Sequence, residues 1–263
     1  MHAGLFINAM FQACHRAEPS WGPSSSSMAS SPRQTTTLTA LALGLLALLC
    51  AAGPCSGTGG GASVPSVVTE AFFNGIKSQA GDGCEGKNFY TRGAFLSAAG
   101  SFPGFARGGS DADGKREVAA FFAHATYETG HFCYISEINR ANVFCDPSSR
   151  WPCVLGKKYY GRGPLQLSWN FNYGPAGESI GVDLLRDPDR VARDPVVSFK
   201  AALWSWMSSA HQAVPRGFGA TVGAMDGGLT CGGRNPAQVN ALVGYYSRYC
   251  QQLGVGPGNN LTC

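Results

Sequence analysis

The most regular feature of the chain is a set of apolar positions three and four residues apart, a pattern typical of amphipathic helices. One such set lies between Ser66, a residue type favoured as an N-cap, and Gly81. The same spacing returns over residues 91–99 and 115–127, and Gly130 follows the latter as a C-terminal stop. The first half of the folded region is therefore predicted to contain three helices.

Two further apolar helices are predicted downstream. Each begins at a polar N-cap followed by proline at the first helical position, Asp194-Pro195 in one and Asn235-Pro236 in the other. We expect these two helices to form the core. Residues 131–180 are rich in Gly, Pro, Asn and Tyr and lack a sustained helical period, which is typical of loops or a small hairpin lining a cleft. The predicted fold is mainly α.

Composition divides the chain ahead of these helices. Residues 38–52 form an apolar run that ends in small residues, as at the cleavage site of a secretory signal peptide, and the run is too short for a membrane span. We assign residues 28–55 to the signal peptide and residues 1–27 to an upstream extension with no role in folding. Residues 56–65 form a Gly/Ser-rich tether, expected to be disordered, and residues 66–263 form the folded domain. We expect secretion without membrane anchoring.

The cysteines and charges narrow the class of protein. Seven of the ten cysteines fall in the folded domain, which predicts three disulfides and one free thiol, with Cys250 in an apolar helical stretch as the free one. The formal charge of +4 is scattered, so we expect no nucleic-acid partner. Because no spacing typical of metal ligands occurs, we expect no metal or cofactor and regard His124 and His131 as structural.

Two glutamates, Glu128 and Glu137, carry the candidate chemistry. Glycosidases use two carboxyls, one of which keeps its proton as general acid while the other stays ionised as general base. Glu128 follows the apolar run at residues 121–123, which favours a raised pKa and the role of acid, whereas Glu137 lies in polar sequence that favours the base. The alternative is that both are solvated, as most glutamates are.

An aromatic and amide-rich run at residues 159–174 follows these glutamates. Trp169, Phe171 and Tyr173 alternate with polar side chains, and the alternation has two interpretations: one face of a strand, or a platform for sugars. The alternating polar set comprises Gln166, Ser168, Asn170 and Asn172. Because such groups are hard to satisfy in a core and recognise the acetamido and hydroxyl groups of a sugar, we favour a binding cleft.

Two segments carry a resemblance to a known family, EVAAFFAHATYETGHFCYISEIN at residues 117–139 and YYGRGPLQLSWNFNYGPAG at residues 159–177. They resemble plant chitinases of glycoside hydrolase family 19, and the shorter, class IV type fits best. The similarity covers residues 66–263 and includes NFYTR at 88–92, FKAALW at 199–204 and the final NLTC. We expect no N-terminal chitin-binding module, since the tether leads directly into the catalytic domain.

The resemblance implies a lysozyme-like, mainly α-helical fold with a cleft between two lobes, and endo-hydrolysis of β-1,4-linked N-acetylglucosamine polymers with inversion. It places Glu128 on the general acid, Glu137 on the general base and Ser168 on the hydroxyl that helps to hold the attacking water. The substrate contacts of the family fall on Trp151, Gln166, Phe171, Asn172, Lys200 and Asp226. The implied disulfides join Cys84 to Cys133, Cys145 to Cys153 and Cys231 to Cys263, and leave Cys250 free.

Five positions close to the chemistry depart from the family pattern. Tyr127 replaces a histidine, Phe171 a tyrosine whose hydroxyl reaches the sugar, and Asp226 an asparagine that contacts substrate. Thr230 and Leu242 replace a glutamate and an arginine that form a charge network behind the base. Losing both charges is nearly neutral for folding, whereas losing one would strand the other. Losing the network's influence on the base is expected to weaken catalysis.

The leading hypothesis is a secreted, monomeric chitinase of reduced activity, which acts on chitin and N-acetylglucosamine oligomers in the apoplast or the vacuole. The resemblance suggests defence against fungi, and a developmental role is the alternative. The alternative is a catalytically impaired chitin-binding protein that uses the same cleft as a lectin, and a third is peptidoglycan cleavage. The combination of Glu128, Glu137, Ser168 and Gln166 favours an enzyme, because a binder has no need of an acid, a base and a water-holding group together.

Overall fold

The computed structural model of the chain describes residues 61–263, which form ten α-helices and one 3-10 helix. The helices are α1 (Val64–Val67), α2 (Glu70–Lys77), α3 (Gly86–Phe89), α4 (Arg92–Ala99), α5 (Asp111–Thr129), α6 (Asn170–Ile180), α7 (Arg190–Arg193), α8 (Pro195–Ser209), the 3-10 helix (His211–Arg216), α9 (Phe218–Asp226) and α10 (Pro236–Gln252). Extended pairing over 61–263 is limited to two isolated antiparallel bridges, Ser136 with Arg162 and Arg162 with Leu167. The prediction of a mainly α fold is confirmed.

The folded domain begins a few residues before the expected boundary at Ser66. Ala62 is fully buried and its N–H donates to Ala106 O at 3.0 Å, and Val64 is buried as the first residue of α1. The end of the predicted tether is therefore packed, because these small apolar residues fit against the chain that precedes α5. The assignments of residues 1–27 and 28–55 lie outside the described residues.

Side-chain caps explain where five of the helices begin, α2, α4, α5, α8 and α10. The helix predicted from Ser66 is two elements, because Thr69 accepts the N–H of Phe72 and starts α2 afresh. The predicted N-caps of α8 and α10 are confirmed: Asp194 accepts two N–H groups of the first turn of α8, and Asn235 accepts one of α10. Helix α5 starts earlier than predicted, at a capping box that precedes Asp111, and ends at left-handed Gly130, as predicted.

Helix α6 occupies a segment in which the sequence predicts loops or a small hairpin. The interpretation that Trp169, Phe171 and Tyr173 form one face of a strand is therefore wrong, because residues 170–180 are helical. Intrinsic propensity is poor here, since Pro175 lies inside the helix and glycines surround it. Packing overrides propensity, because Tyr173 is fully buried and the absence of a Cβ at Gly174 lets the ring of Trp151 lie against the helix.

Two hydrophobic clusters divide the domain into two lobes, as the resemblance implies. The larger is built on α1, α2, α4, α5, α9 and α10, and the smaller on α6 and the segments around Phe144, Tyr159 and Val191. Helix α8 belongs to both, because Phe199 and Trp206 lie in the larger cluster while Val197 and Ala201 lie in the smaller. A side chain of α8 that projects between the residues of the larger cluster and those of the smaller cluster therefore lies at the junction of the lobes.

Three disulfides close the described domain, and they are the pairs that the resemblance implies. They join Cys84 to Cys133, Cys145 to Cys153 and Cys231 to Cys263. Cys250 is free and fully buried on α10, as predicted. Loss of hydration raises the pKa of its thiol to about 11, which keeps it protonated and unreactive. Among the helices of residues 61–263, none has the length and apolar character that crossing a bilayer would require.

Candidate active site

Glu128 lies in the last turn of α5, on the side that faces α9. The two helices contact each other one turn earlier, where His124 Nε2 lies 3.2 Å from Thr221 Oγ1. Loss of hydration, followed by the negative charge of Asp226 at the end of α9, raises the pKa of Glu128 to about 8. The carboxyl therefore holds its proton at neutral pH, which is the state that a general acid requires.

Glu137 lies on the loop that follows α5 and is held by the segment that carries Gly161. The N–H of Glu137 donates to Gly161 O at 2.8 Å, and Glu137 Oε2 accepts the N–H of Gly161 at 3.1 Å. The second carboxyl of the site is thus held by the backbone of a neighbouring loop.

Arg162 anchors this loop from inside the smaller lobe. It is 2% exposed, and its Nη1 donates to Lys158 O, Tyr160 O and Tyr173 Oη while Nη2 pairs with Asp189 Oδ1 at 2.5 Å. The guanidinium also lies 3.6 Å from the centre of the Tyr160 ring. Sequence reasoning missed this residue, although an arginine between two glycines in an aromatic run is an uncommon signal.

Gln166 lies close to the backbone that holds Glu137. Its Nε2 donates to Gly163 O at 2.8 Å, and a Cβ added at Gly161 would approach Gln166 Oε1 to 2.9 Å. Glycine at position 161 thus leaves the room in which the Gln166 amide lies. Gly161 thus lies against Gln166, a predicted substrate contact, and also binds Glu137, the predicted base. Sequence reasoning did not single out this glycine.

Ser168 and Asn172 lie together at the start of α6, where the Asn172 Nδ2 donates to Ser168 O at 2.9 Å. Phe171 stacks on Trp169, with ring centres 5.5 Å apart and planes 19° apart. These partly buried side chains provide amide, hydroxyl and aromatic surface beside the Gly161 loop. Asn170 is the exception to the predicted polar set, because it is fully buried.

Asn170 is a structural residue that joins loops of the smaller lobe. Its Oδ1 accepts the N–H of Asp146 at 2.7 Å, and its Nδ2 donates to Asp146 O at 2.9 Å and to Trp151 O at 2.6 Å. The expectation that it lines a cleft is wrong, because a buried amide in a core can be satisfied by the backbone of the two loops that it joins.

Trp151 and Lys200 lie at different places around this site. The Trp151 ring packs on α6 at Gly174, which is about 200° around the helix axis from Asn172. It also borders an open groove of about 310 Å³, lined further by residues 177–178 and 181–185. Lys200 is partly buried on α8, between Phe199 of the larger cluster and Ala201 of the smaller. It therefore lies at the junction of the lobes, whereas Trp151 lies on another face of α6.

The positions that depart from the family pattern are accommodated without a stranded buried charge. Thr230 is 4% exposed, and Leu242 is 2% exposed within the larger cluster. Asp226 is 8% exposed, and its oxygens accept the N–H groups of Gly228 and Thr230. Tyr127 is half-buried beside Glu128, and loss of hydration and that carboxyl raise the pKa of its hydroxyl.

The two histidines near the site have structural surroundings. His124 is buried, and loss of hydration lowers its pKa to about 3, so the ring is neutral beside Thr221. His131 packs edge-on against Tyr245, with ring centres 5.2 Å apart. Among residues 61–263, no three His, Cys, Asp or Glu side chains are grouped so that they could hold a metal ion. The chemistry of the described site is that of two carboxyls with amide and aromatic neighbours.

Comparison with known proteins agrees with this geometry. The sequence model of glycoside hydrolase family 19, described as Chitinase class I, matches residues 67–216 and 208–263. Endochitinase B of Zea mays is 70% identical over 221 residues, covering 81% of this chain and 79% of that protein. Chitinase 4 of Oryza sativa subsp. japonica is 61% identical over 231 residues, covering 81% of each.

A solved structure agrees as well. The crystal structure of a family GH19, class IV chitinase from Zea mays aligns with a TM-score of 0.74 at 67% identity, covering 76% of this chain and 98% of that one. Sequence and fold thus match over the same domain, which also contains both candidate carboxyls. The chain therefore belongs to glycoside hydrolase family 19.

Proposed function

We propose that the protein is a secreted endochitinase that hydrolyses β-1,4-linked N-acetylglucosamine polymers with inversion, with Glu128 as general acid and Glu137 as general base. The observation that carries the proposal is the contrast between the two carboxyls. Glu128 has a pKa raised to about 8, whereas Glu137 is held as an acceptor by the Gly161 N–H. Relatives named as endochitinases, such as Endochitinase B of Zea mays at 70% sequence identity, support chitin as the class of substrate.

In the proposed reaction, Glu128 donates its proton to the glycosidic oxygen as the bond from that oxygen to the anomeric carbon breaks. A water molecule attacks the opposite face of that carbon, and Glu137 takes a proton from this water as the new bond forms. Ser168 helps to hold the water, and Gln166, Asn172 and the Phe171 ring contact the sugar. One water is consumed, and both carboxyls return to their starting states by exchanging protons with solvent.

The test of this function is hydrolysis of the N-acetylglucosamine hexamer by the purified protein. Cleavage at internal bonds is expected, with Glu128→Gln and Glu137→Gln each reducing the rate by at least about a hundredfold. Glu70→Gln, an exposed change on α2, serves as the matched control and is expected to retain full activity. Binding of the hexamer without turnover would identify a lectin instead, and faster release of fragments from bacterial cell wall would identify a peptidoglycan hydrolase.

Activity is proposed to be weaker than in relatives that keep the charge network behind the base. Thr230→Glu together with Leu242→Arg is expected to raise kcat severalfold, because the restored pair adds its field at Glu137. Leu242→Arg alone should destabilise the protein by about 3–5 kcal/mol, since it buries a charge with no partner. The comparison of kcat and urea unfolding for single and double variants tests this, and an unchanged kcat in a folded double variant would contradict it.

A further inference from the structure

The segment that follows α10 contains a sequence pattern that the proposed chemistry does not use. Asn260, Leu261 and Thr262 form an Asn-x-Thr triplet, and the sequence has one such triplet. This is the acceptor pattern for N-linked oligosaccharides, which is used on surface loops of proteins that pass through the secretory pathway. The inference developed below rests on secretion, which is part of the proposed function.

The structure places this triplet in an exposed segment outside the helices. Asn260 and Thr262 are exposed, and Leu261 between them is partly buried. Asn260 has φ 55°, a left-handed conformation that asparagine adopts more readily than most residues. Its carbonyl accepts the N–H of Gly219 at 2.9 Å. The backbone of the segment is therefore fixed against the start of α9, while the two residues that define the acceptor remain accessible.

The side chain of Asn260 makes a contact that is compatible with an attached sugar. Its Nδ2 donates to Arg216 O at 3.2 Å. A side-chain amide nitrogen carries two hydrogens, and an N-linked sugar replaces one of them. Because the other hydrogen remains for Arg216 O, the folded structure accommodates a glycan without loss of this bond.

A glycan at this position lies away from the proposed chemistry. Asn260 contacts Gly219 in the first turn of α9, whereas the predicted substrate contact Asp226 is the last residue of the same helix. A helix of nine residues is about 13 Å long. Glycosylation and hydrolysis of chitin oligomers are therefore expected to be independent of each other.

The folded segment is too restrained to be the form that receives the sugar. The absence of a Cβ at Gly219 lets Thr262 O lie directly against α9. Cys263 O accepts the N–H of Gly232 at 3.2 Å, and its side chain is bonded to Cys231. An enzyme that transfers the sugar must enclose the triplet, so the triplet must first leave the surface of α9. Transfer therefore precedes closure of the bridge.

We propose that Asn260 is an N-glycosylation site, which is occupied in the secretory pathway before the Cys231–Cys263 bridge closes. The sugar donor is an oligosaccharide joined through a diphosphate to a lipid. Asn260 Nδ2 forms a bond to the anomeric carbon of the first sugar as the bond from that carbon to the diphosphate oxygen breaks. The amide nitrogen gives up one proton, and the lipid diphosphate leaves.

The test is mass spectrometry of the full chain secreted by plant cells, before and after treatment with peptide-N-glycosidase A. Treatment should remove the mass of one oligosaccharide and convert Asn260 to aspartate. Thr262→Ala should abolish this loss of mass, although it keeps the Asn260 amide. Thr262→Ser is the matched control, because serine also completes the acceptor pattern and should retain the glycan on part of the chains. Hexamer turnover should be unchanged in both variants.

The outcomes separate this inference from the proposed function. A secreted protein with the mass of the bare chain would overturn the inference alone. A chain that stays in the cytosol would overturn both the inference and the proposed secretion. A glycosylated protein that does not hydrolyse the hexamer would retain the inference and remove the proposed activity.

A second measurement tests the order of glycosylation and bridge closure. Opening the bridge with Cys231→Ser and Cys263→Ser should raise the occupied fraction of Thr262→Ser, because the triplet then stays available for longer. The fraction is measured on total cellular protein, so it does not depend on whether the variant folds. Complete occupancy of Thr262→Ser with the bridge intact, or a fraction that does not rise when the bridge is removed, would refute this order.

Discussion

At the scale of single residues, the site depends on a carboxyl that its surroundings keep neutral. The pKa of Glu128 is raised from 4.5 to about 8. A carboxyl of this kind binds its proton more tightly in the folded than in the unfolded state. Its favourable contribution to folding is complete below pH 4.5 and is lost as the pH rises toward 8. Stability and catalysis therefore make opposite demands on this residue.

Replacing Glu128 with glutamine should show how much folding stability the protein loses through this carboxyl as the pH rises. Because glutamine does not titrate, the free energy of unfolding of Glu128→Gln should rise relative to the unaltered protein between pH 5 and pH 8, by roughly 1–3 kcal/mol. Urea unfolding across this pH range measures the difference, with Glu178→Gln as the control that should run parallel to the unaltered protein. Parallel curves for Glu128→Gln would contradict the raised pKa.

The two carboxyls could be predicted from the sequence, but their partners could not. The apolar residues before Glu128 lie on the same helix and predict its loss of hydration. The charge of Asp226 comes from α9, far along the chain, so only the packing of the two helices brings it there. Asn170 shows the converse error, because a local polar pattern does not reveal that the backbone of Asp146 and Trp151 satisfies a buried amide.

At the scale of elements, the loop at residues 158–167 holds Glu137, the proposed base, and Arg162 holds this loop. Four bonds from its guanidinium reach two carbonyls, a tyrosine hydroxyl and a carboxylate. Lysine carries a single ammonium and cannot span these acceptors. Arg162→Lys should therefore destabilise the protein by about 2–4 kcal/mol and lower kcat, because the adjacent Gly161 then holds Glu137 less firmly.

Thermal unfolding and hexamer turnover measure these effects. The matched control is Arg193→Lys, since Arg193 pairs with Asp187 at the surface and its loss should cost no more than about 1 kcal/mol. If both lysine variants lost the same stability, the buried anchor would have no special role.

The starts of α8 and α10 could be predicted from the sequence, whereas α6 could not. Asp194 and Asn235 precede prolines and mark their helices locally. The N-cap residue of α6, Trp169, has φ 70° and makes no side-chain cap, and the helix contains Pro175. Its formation depends on tertiary packing against Trp151 and the smaller cluster, and single-residue propensities contain no information on such contacts.

At the scale of the whole molecule, three disulfides support two lobes of unequal size. The Cys84–Cys133 bridge spans a sequence separation of 49 residues, whereas the Cys145–Cys153 bridge spans 8. Because closing a longer loop removes more entropy from the unfolded chain, replacing both cysteines of the first pair with alanine should cost roughly 1–2 kcal/mol more than replacing both of the second. Denaturant unfolding of the two double variants measures the difference, and equal losses would show that strain or local packing dominates.

The pairing itself could not be derived from the cysteine count, which leaves many connectivities open. The family resemblance supplied it, and the structure confirms it. The division into lobes came from the same source, because hydrophobic periodicity locates helices but does not assign them to one cluster or the other. Helix α8 contributes to both clusters from successive residues, which no local pattern distinguishes.

The most direct test of the proposed function follows the anomeric form of the product by NMR during hydrolysis of the N-acetylglucosamine hexamer, with Glu128→Gln as the blank. An inverting mechanism with Glu128 as acid and Glu137 as base predicts that the new reducing end appears first as the α-anomer and that Glu128→Gln forms none. Initial appearance of the β-anomer, or turnover that survives the loss of Glu128, would contradict it.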